Sequence, residues 1–439
     1  MYIRLAGAVL LVVVLVHVVR LFRPTRYGLV FGLLMFYIPL HFKIPLNALP
    51  MVNALTATMV ALVILLPADR GALLRHARAF RGLVVAFCGV SVLGLALAAG
   101  GAANFSTTIV EFKRWLDPVV FGLLAFAITR DEDRKFTMAC MMLGYALVAV
   151  HGIREGLDYG TVKRIPGLLG QPNETGAFLA MYAPFGLTLA LLLLRGFART
   201  ALIGVTALGG WALIPTLSRG AWIAYGLGMA VALIAARRKG MACAALALGI
   251  VLLGVVPEIL PERVTARFEE TVLDEGQAGG ESLEESLEPS AAARITQWKS
   301  ALAAIASNPI GVGFGRFKGV IGGYGGISGL DAHNFFLLVG VEFGVAGMAL
   351  AIALFGKMAA DAWAVATGAT DPFVRAFGCA ACAMILAAVI VNCFGSRLMQ
   401  DQPSTYLWAL AAMSARARDM LASGPVAAVA VPGRWSRAT

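Results

Sequence analysis

Charged residues are scarce in this sequence. Asp, Glu, Lys and Arg make up 14% of its 439 residues, whereas hydrophobic residues make up 59% and the mean hydropathy is +0.80. A water-soluble domain could not cover that much apolar side chain with a polar surface. The composition therefore excludes a soluble enzyme and predicts an all-α polytopic membrane protein.

The polar segments contain no cysteine, and paired carboxylates on a rigid element are lacking as well. All six cysteines fall inside apolar segments, so neither a disulfide framework nor a zinc site is expected. No pair of carboxylates lies on a rigid element in the way that a divalent metal requires, and Glu111 and Asp117 are the weak candidates that remain. We therefore expect neither a metal nor another cofactor.

The basic charge is placed in a way that argues against nucleic acid as a partner. The formal net charge is +11, but Lys and Arg sit in short loops between apolar runs. This placement is typical of topology signals and of contacts with anionic membrane lipids. No segment repeats another convincingly, which disfavours a transporter built from inverted repeats.

The apolar runs predict about 12 to 13 transmembrane helices, because a helix needs about 20 mostly apolar residues to cross a bilayer. The candidate segments are 5–22, 27–46, 50–67, 82–99, 115–129, 136–151, 174–194, 200–217, 220–236, 241–257, 334–356, 374–394 and, as the weakest, 404–421. The predicted organisation is ten membrane helices in 1–256, a large periplasmic loop with amphipathic helices in 257–333, C-terminal membrane helices in 334–421 and a disordered tail in 422–439. Pro39 and Pro45 leave open a re-entrant second segment, which would change the count.

The short basic loops predict the orientation. The loops that contain Arg78, Arg134, Arg199 and Arg237 fall on one side of the membrane when the segments between them are counted. Since cytoplasmic loops carry an excess of Lys and Arg, that side should be cytoplasmic. In a bacterial inner membrane the opposite side, which holds the long loop, is then the periplasm.

Three residues on the predicted periplasmic face could carry chemistry. Arg219, in LSRGAW, would be costly at the membrane edge unless it snorkels or pairs with an anion. Arg294 lies in a run predicted to be helical from Ser290 to Ala306, and it could point a planar charged fork at a phosphate while Trp298, four residues later, packs on the same face. His333 precedes the next apolar helix, and a neutral imidazole is the usual general base near neutral pH.

Each of these residues also has a simpler interpretation. Arg219 could be an interfacial anchor, and Arg294 could stack on Trp298 at the surface of a loop. His333 could merely cap the helix that follows it. Among the other histidines, His151 is the rival, because it also borders the predicted periplasmic face.

A turn-rich loop, Val162 to Gly176, adds candidates for substrate binding. Its glycines and Pro172 allow the backbone to approach a ligand closely. Arg164 could supply a further cation to a pyrophosphate. The predicted substrate-binding residues are Lys163, Arg164, Asn173, Trp298, Arg316 and Asn334.

Four motifs together resemble the O-antigen ligase and polymerase superfamily of bacterial inner-membrane proteins. They are RIPGLLGQPNETGAFLA, LSRGAW, RITQW followed by NPIGVGFGRF, and DAHNFFLLVGVEFGVAGMAL, in that order, and the resemblance covers roughly residues 160–360. The resemblance implies that the essential His and two Arg residues of the family fall on His333, Arg219 and Arg294, with Arg164 as a further match.

The resemblance also implies an activity. An O-antigen ligase transfers a polysaccharide from undecaprenyl pyrophosphate to the lipid A-core on the periplasmic leaflet, without a metal or a nucleotide sugar. An O-antigen polymerase or a protein O-oligosaccharyltransferase of the same superfamily is an alternative. From a different class, a lipid-linked sugar flippase or other transporter would explain the helices, but it would leave the long loop and the His-Asn helix start without a role.

Overall fold

The computed structural model describes residues 2–40, 47–49, 52–66, 77–100, 105–158, 164–237 and 289–422. The α-helices in those residues are α1 (Tyr2–Phe22), α2 (Arg26–Tyr37), α3 (Ala54–Ile64), α4 (Arg78–Ala99), α5 (Phe105–Ala125), α6 (Asp131–Asp158), α7 (Pro172–Leu192), α8 (Gly196–Leu213), α9 (Arg219–Ala235), α10 (Pro289–Ser307), α11 (Phe317–Val320), α12 (Phe335–Gly368), α13 (Pro372–Cys393) and α14 (Asp401–Ala422). Short 3₁₀ helices are Ile38–Leu40, Ile214–Thr216, Ile321–Tyr324 and Arg397–Met399. Two strands, β1 (Asn47–Leu49) and β2 (Val52–Asn53), pair antiparallel. The predicted all-α class is confirmed apart from this small pair.

Six of the described helices are long and apolar enough to cross a membrane. They are Arg78–Ala99, Asp131–Asp158, Pro172–Leu192, Gly196–Thr216, Phe335–Gly368 and Pro372–Cys393, and shorter apolar helices are Leu10–Phe22, Arg26–Leu40 and Arg219–Ala235. The predicted count of about 12 to 13 spans is therefore not confirmed. In the predicted second segment, 27–46, helix α2 is followed by a 3₁₀ turn that contains Pro39, and residues 41–46 lie outside the described residues. The predicted segment 241–257, the first part of the long loop (257–288) and the tail from 423 lie outside the described residues.

The outer helices of the bundle expose apolar side chains. The apolar window of α8 is only 22% buried and that of α4 only 28%, whereas that of α7 is 89% buried. Val85 on α4, for example, is 67% exposed. An apolar outer surface of this extent is stable in lipid rather than in water. The chain is therefore a multi-pass membrane protein.

Helix α14 lies in the centre of the bundle. Its residues from Gln402 to Ala417 are buried, and it packs closely against α5 and α12. The Tyr406 hydroxyl donates to the carbonyl oxygen of Met35 at 2.6 Å, and the Leu407 N–H donates to the Tyr182 hydroxyl at 3.0 Å. Because lipid offers no hydrophobic drive between helices, such packing and hydrogen bonds are what hold a membrane bundle together.

The two ends of the bundle differ in charge. At one end, the Thr25 N–H and hydroxyl donate to the Asp133 carboxylate at 2.7 and 2.9 Å, and Arg134 contacts Met420. We call this the basic end, because the described cations of the predicted cytoplasmic loops lie there, namely Arg78, Arg81, Arg130, Arg134, Lys135, Arg195, Arg199 and Arg237. The other end, where α7, α9, α12 and α14 begin, is called the site end.

A segment of the long loop inserts into a break in α12. Gly344 has φ 74° inside the helix, and a Cβ there would lie 2.3 Å from the carbonyl oxygen of Pro309, so only glycine fits. The N–H groups of Val312 and Gly313 donate to the carbonyls of residues 341 and 342 at 2.9 and 3.1 Å. The break frees those carbonyls, and a membrane helix tolerates a break where such groups find partners within the protein. The loop is thereby fixed to α12.

Candidate functional site

A polar cavity of about 710 Å³ opens at the site end. Its polar lining comes from distant parts of the chain, and these residues are Arg164, Asn173, Ser218, Arg219, Arg294, His333 and Arg397. Ala177, Leu217 and Phe394 are among the apolar residues that complete it. The structure thus brings Arg164, Asn173, Arg219, Arg294 and His333, which were all predicted as site residues, into one cavity.

Arg164 is positioned by the turn that follows α8. Its Nε donates to the carbonyl oxygen of Thr216 at 2.9 Å, and its Nη2 donates to Oδ1 of Asn173 at 2.6 Å. The next residue is fixed as well, because the Ile165 N–H donates to the carbonyl oxygen of Pro215 at 3.2 Å. The guanidinium is therefore held in place before any ligand arrives. Lys163, predicted beside it, lies outside the described residues.

Arg219 is the first residue of α9. The turn before it places Leu217 in the left-handed region, with φ 50°, and the Trp222 indole N–H donates to the carbonyl oxygen of Leu213 at 3.1 Å. These contacts fix the direction in which α9 begins. The first backbone N–H groups of a helix have no partners within the helix, so this helix start offers donors to an anion next to the guanidinium.

Arg294 is carried by α10, whose predicted bounds are confirmed to within one residue at each end. The neighbouring Gln297 is fully buried and forms three hydrogen bonds with the segment that leads to His333. It accepts from the Ile327 N–H at 2.8 Å and donates to the carbonyls of Ile327 and Leu330 at 3.2 Å each. Trp298 donates its indole N–H to the carbonyl oxygen of Ala332 at 3.0 Å. Trp298, predicted to bind substrate, therefore holds the backbone beside His333 and is not part of the cavity lining.

His333 lies just before α12 and does not cap it. The cap is Asn334, whose side-chain oxygen accepts from the N–H groups of Phe336 and Leu337 at 3.0 and 3.1 Å. Asn334 also donates to the carbonyl oxygen of Cys393 at 3.3 Å, so its described contacts are structural, and it does not line the cavity. The interpretation of His333 as a simple helix cap is wrong, because the neighbouring residue performs that role.

The His333 backbone adopts φ 50°, which is uncommon for a residue with a side chain and costs on the order of 1–3 kcal/mol. Its Nδ1 is buried without a hydrogen-bond partner, 4.0 Å from Oδ2 of Asp331. Burial lowers the pKa of the imidazole below its usual value, and the nearby cations Arg294, Arg397 and Lys318 lower it further, while Asp331 acts in the opposite direction. The ring is therefore neutral at pH 7, as a general base requires.

Arg397 is a site residue that the sequence prediction missed. Its backbone N–H and that of Leu398 both donate to Oδ1 of Asn392 at 3.1 Å, which fixes the 3₁₀ turn, and its Nη1 lies 3.4 Å from Oε1 of Gln171. Burial lowers the pKa of its guanidinium, and this effect is opposed by Asp331 and Glu174. A signal was available, since Arg397 is the sole cation between the last two apolar segments and follows a serine, as Arg219 does.

The cavity is suited to an anion with more than one negative charge. Four guanidinium groups line it, and two carboxylates, Asp331 and Glu174, act on them from nearby. Planar guanidinium groups bind phosphate oxygens in pairs, and each bond to a charged oxygen is roughly twice as strong as a neutral one. A pyrophosphate matches this arrangement in both charge and number of acceptors.

A comparison with protein families agrees with this chemistry. The family model for the O-antigen ligase matches residues 204–352. Within that region the chain is similar to the O-antigen ligase family. No curated protein matches the chain. The matched region contains Arg219, Arg294 and His333, whereas Arg164 and Arg397 line the cavity from outside that region.

The remaining predicted residues lie elsewhere. Arg316 does not line the cavity, and its carbonyl oxygen accepts from the N–H groups of Gly319 and Val320 in α11. The rival histidine, His151, lies 3.5 Å from Oε1 of Glu155 and is likewise not part of the lining.

Metal binding has no cluster to support it in the described part of the chain. No group of three or more His, Cys, Asp or Glu side chains among those residues is arranged so that it could hold a metal ion. Asp117 instead forms an ion pair with Lys113 at 2.7 Å. That the reaction needs no metal stays a prediction.

Proposed function

We propose that this protein is an O-antigen ligase that transfers a glycan from undecaprenyl pyrophosphate to a sugar hydroxyl of the lipid A-core. The observation that carries the proposal is the meeting of one neutral imidazole with four guanidinium groups in a single cavity. A donor of this kind already has a good leaving group. The enzyme then needs only a base for the acceptor and cations for the departing pyrophosphate.

The guanidinium groups hold the pyrophosphate. Arg219, at the start of α9, and Arg294, on α10, bind its oxygens. Arg164 and Arg397 bind the same pyrophosphate from two other segments of the chain. The N–H groups at the start of α9 add donors beside Arg219. Because negative charge on the pyrophosphate grows as the glycosidic bond breaks, fixed donors of this type stabilise the transition state more than the ground state.

His333 acts as the general base. Its Nδ1 is buried next to Asp331, so we assign Nε2 as the nitrogen that takes the proton from the acceptor hydroxyl. The hydroxyl oxygen then attacks the anomeric carbon, and the bond to the pyrophosphate breaks with its electron pair moving to the leaving group. Direct attack of this kind inverts the anomeric carbon. Asp331 stabilises the imidazolium that forms, and base catalysis contributes about 10²- to 10⁴-fold.

A small apolar pocket lies close to the polar cavity. Phe335 and Leu398 line it, and Phe335 is the second residue after His333, while Leu398 directly follows Arg397. Trp115 and Phe355 form other parts of its wall. The isoprenoid chain of the donor would lie in lipid between the helices, next to these apolar residues.

The site end would face the periplasm of a bacterial inner membrane. This orientation follows from the concentration of Arg and Lys at the basic end, since such residues are retained on the cytoplasmic side. The cavity would then meet both lipid-linked sugars in the periplasmic leaflet.

The test is transfer by the purified protein in detergent from a defined undecaprenyl pyrophosphate oligosaccharide to purified lipid A-core. His333→Ala should insert normally and lose transfer, because His333 is the one imidazole among the described residues that line the cavity. Ordinary activity in that variant would remove His333 as the base.

The products distinguish the alternatives. A longer lipid-linked glycan, with no transfer to lipid A-core, would indicate a polymerase, and a glycosylated protein would indicate a protein O-oligosaccharyltransferase. Failure to convert either substrate, together with movement of the intact donor across vesicles, would indicate a flippase.

A further inference from the structure

Two cavities meet at the basic end, where α6 and α13 begin. One, of about 830 Å³, is lined by Arg134 on α6, Val374 on α13 and residues near the end of α14. The other, of about 1370 Å³, is apolar apart from Lys135 and is also lined by Phe373. Helix α6 contributes Arg134 to the first cavity and Lys135 to the second, and α13 contributes Val374 and Phe373 in the same way. The two cavities therefore share a boundary.

The smaller cavity is also lined by the Asp131 carboxylate, and it contains an unusually buried cation. The Arg134 side chain is only 4% exposed; its Nη1 donates to Oδ1 of Asp131 at 2.8 Å, but its Nε is buried without a hydrogen-bond partner. Arg416, which is 7% exposed, lies near enough to be repelled by Arg134, with Asp419 acting in the opposite direction. Asp131 thus accepts from one end of the Arg134 guanidinium and leaves its buried Nε without an acceptor, which is costly. An anion in this cavity would supply that acceptor.

The larger cavity indicates what else the ligand carries. Lys135 Nζ lies 4.8 Å from the centre of the Phe373 ring, at the polar boundary of the groove. Beyond it the walls are aliphatic and aromatic, with Val18, Leu193 and Leu202 from three other helices. A small inorganic anion would fill the polar cavity and leave this groove unoccupied. A molecule with a phosphate head and acyl chains fits both.

We propose that an anionic phospholipid binds in these two cavities, with its headgroup phosphate against Arg134 and Lys135 and its acyl chains along the groove between α1, α6 and α8. The site lies at the opposite end of the bundle from the polar cavity that contains His333. Its occupancy can therefore be measured without glycan transfer.

Native mass spectrometry of the full-length protein, titrated with phosphatidylglycerol or with phosphatidylcholine in mixed micelles, tests the proposal. Phosphatidylglycerol should bind more tightly, and both Arg134→Gln and Lys135→Gln should weaken that binding about tenfold, as expected for loss of one charge-assisted bond. Arg130→Gln is the matched control, because Arg130 is an exposed cation at the same end that does not line either cavity. Binding in that variant should be unchanged.

Three results would overturn the proposal. Equal binding of phosphatidylcholine would show that charge plays no part, and equal weakening by Arg130→Gln would indicate diffuse surface attraction. Thermal stabilisation of the protein by inorganic phosphate as large as that by phosphatidylglycerol would indicate a free-anion site. If Arg134→Gln does not insert, Lys135→Gln alone decides between these outcomes.

Discussion

Replacing Arg397 with Gln should remove one of the proposed pyrophosphate ligands and also a positive charge that acts on His333. The substitution is well suited to a test, because the 3₁₀ turn is fixed through backbone N–H groups bonded to Asn392 rather than through the guanidinium. The side-chain contact with Gln171, at 3.4 Å, is long for a hydrogen bond and should contribute little to stability. The turn should therefore survive.

Two effects of known direction follow. Loss of one fixed donor to a developing charge lowers kcat by about 10²- to 10³-fold, as removal of an oxyanion-hole donor does. In addition, Arg397 is one of the cations that lower the pKa of His333, so its removal raises that pKa. A higher pKa means that the imidazole becomes neutral only at higher pH. The acidic limb of the profile of kcat/KM against pH should therefore move to higher pH.

The assay is in vitro transfer from the lipid-linked oligosaccharide, measured across about pH 5 to 8, the range in which a histidine titrates. Arg154→Gln is a matched control, because Arg154 is an exposed cation near the end of α6, paired with Asp158 at 3.6 Å and outside the cavity lining. It should leave both readouts unchanged. Full kcat/KM in Arg397→Gln, or an acidic limb displaced to lower pH, would refute the reasoning.

Other substitutions test other parts of the site and its support. Arg219→Lys should lower kcat/KM at least tenfold without loss of insertion, because an ammonium group cannot bind two phosphate oxygens in a plane. Gln297→Met should lower the melting temperature and kcat, since it leaves one N–H and two carbonyls unpaired at a cost of about 3 kcal/mol or more; Thr296→Val, which loses one bond within its own helix, should change both far less. Gly344→Ala should prevent accumulation of folded protein, measured by size-exclusion chromatography, because its Cβ would collide with the Pro309 backbone. Gly356→Ala in the same helix meets open space and should be tolerated.

The sequence predicted where most helices lie along the chain better than it predicted how they pack against one another. Apolar runs indicated most described helices, because a bilayer demands long apolar segments. The weakest run, 404–421, became the central helix α14, which touches protein rather than lipid. There Ser404 and Ser414 donate to carbonyls of the preceding turn at 2.5 and 2.8 Å, so polar residues are tolerated. The break at Gly344 was not foreseen, because a glycine inside an apolar run carries no signal of its own.

The arginines and the histidine that line the cavity were predicted where a recognisable motif surrounded them, and Arg397 was missed because no motif surrounds it. Arg219, Arg294 and His333 stand within recognisable motifs, and all three line the cavity. Arg397 stands alone between apolar segments, where an arginine that binds a ligand cannot be told from one that anchors a helix at the interface. Trp298 was expected to serve Arg294 because four residues separate them. Its indole N–H instead donates to the carbonyl oxygen of Ala332. That residue is distant in sequence, so the spacing of residues along one helix could not predict the contact.

The attachment of the long loop to α12 has a mechanical consequence. Residues 309–313 are bonded into the break at Gly344, and Gln297 and Trp298 tie α10 to the chain before His333. Arg294 and His333 are thus mounted on a single rigid block. If the proposed glycan needs a wider entrance, we expect the movement on the opposite side, where Arg164 and the start of α9 belong to a different part of the bundle. The distance between His333, the proposed base, and Arg294, the nearest proposed pyrophosphate ligand, would then stay constant during the reaction.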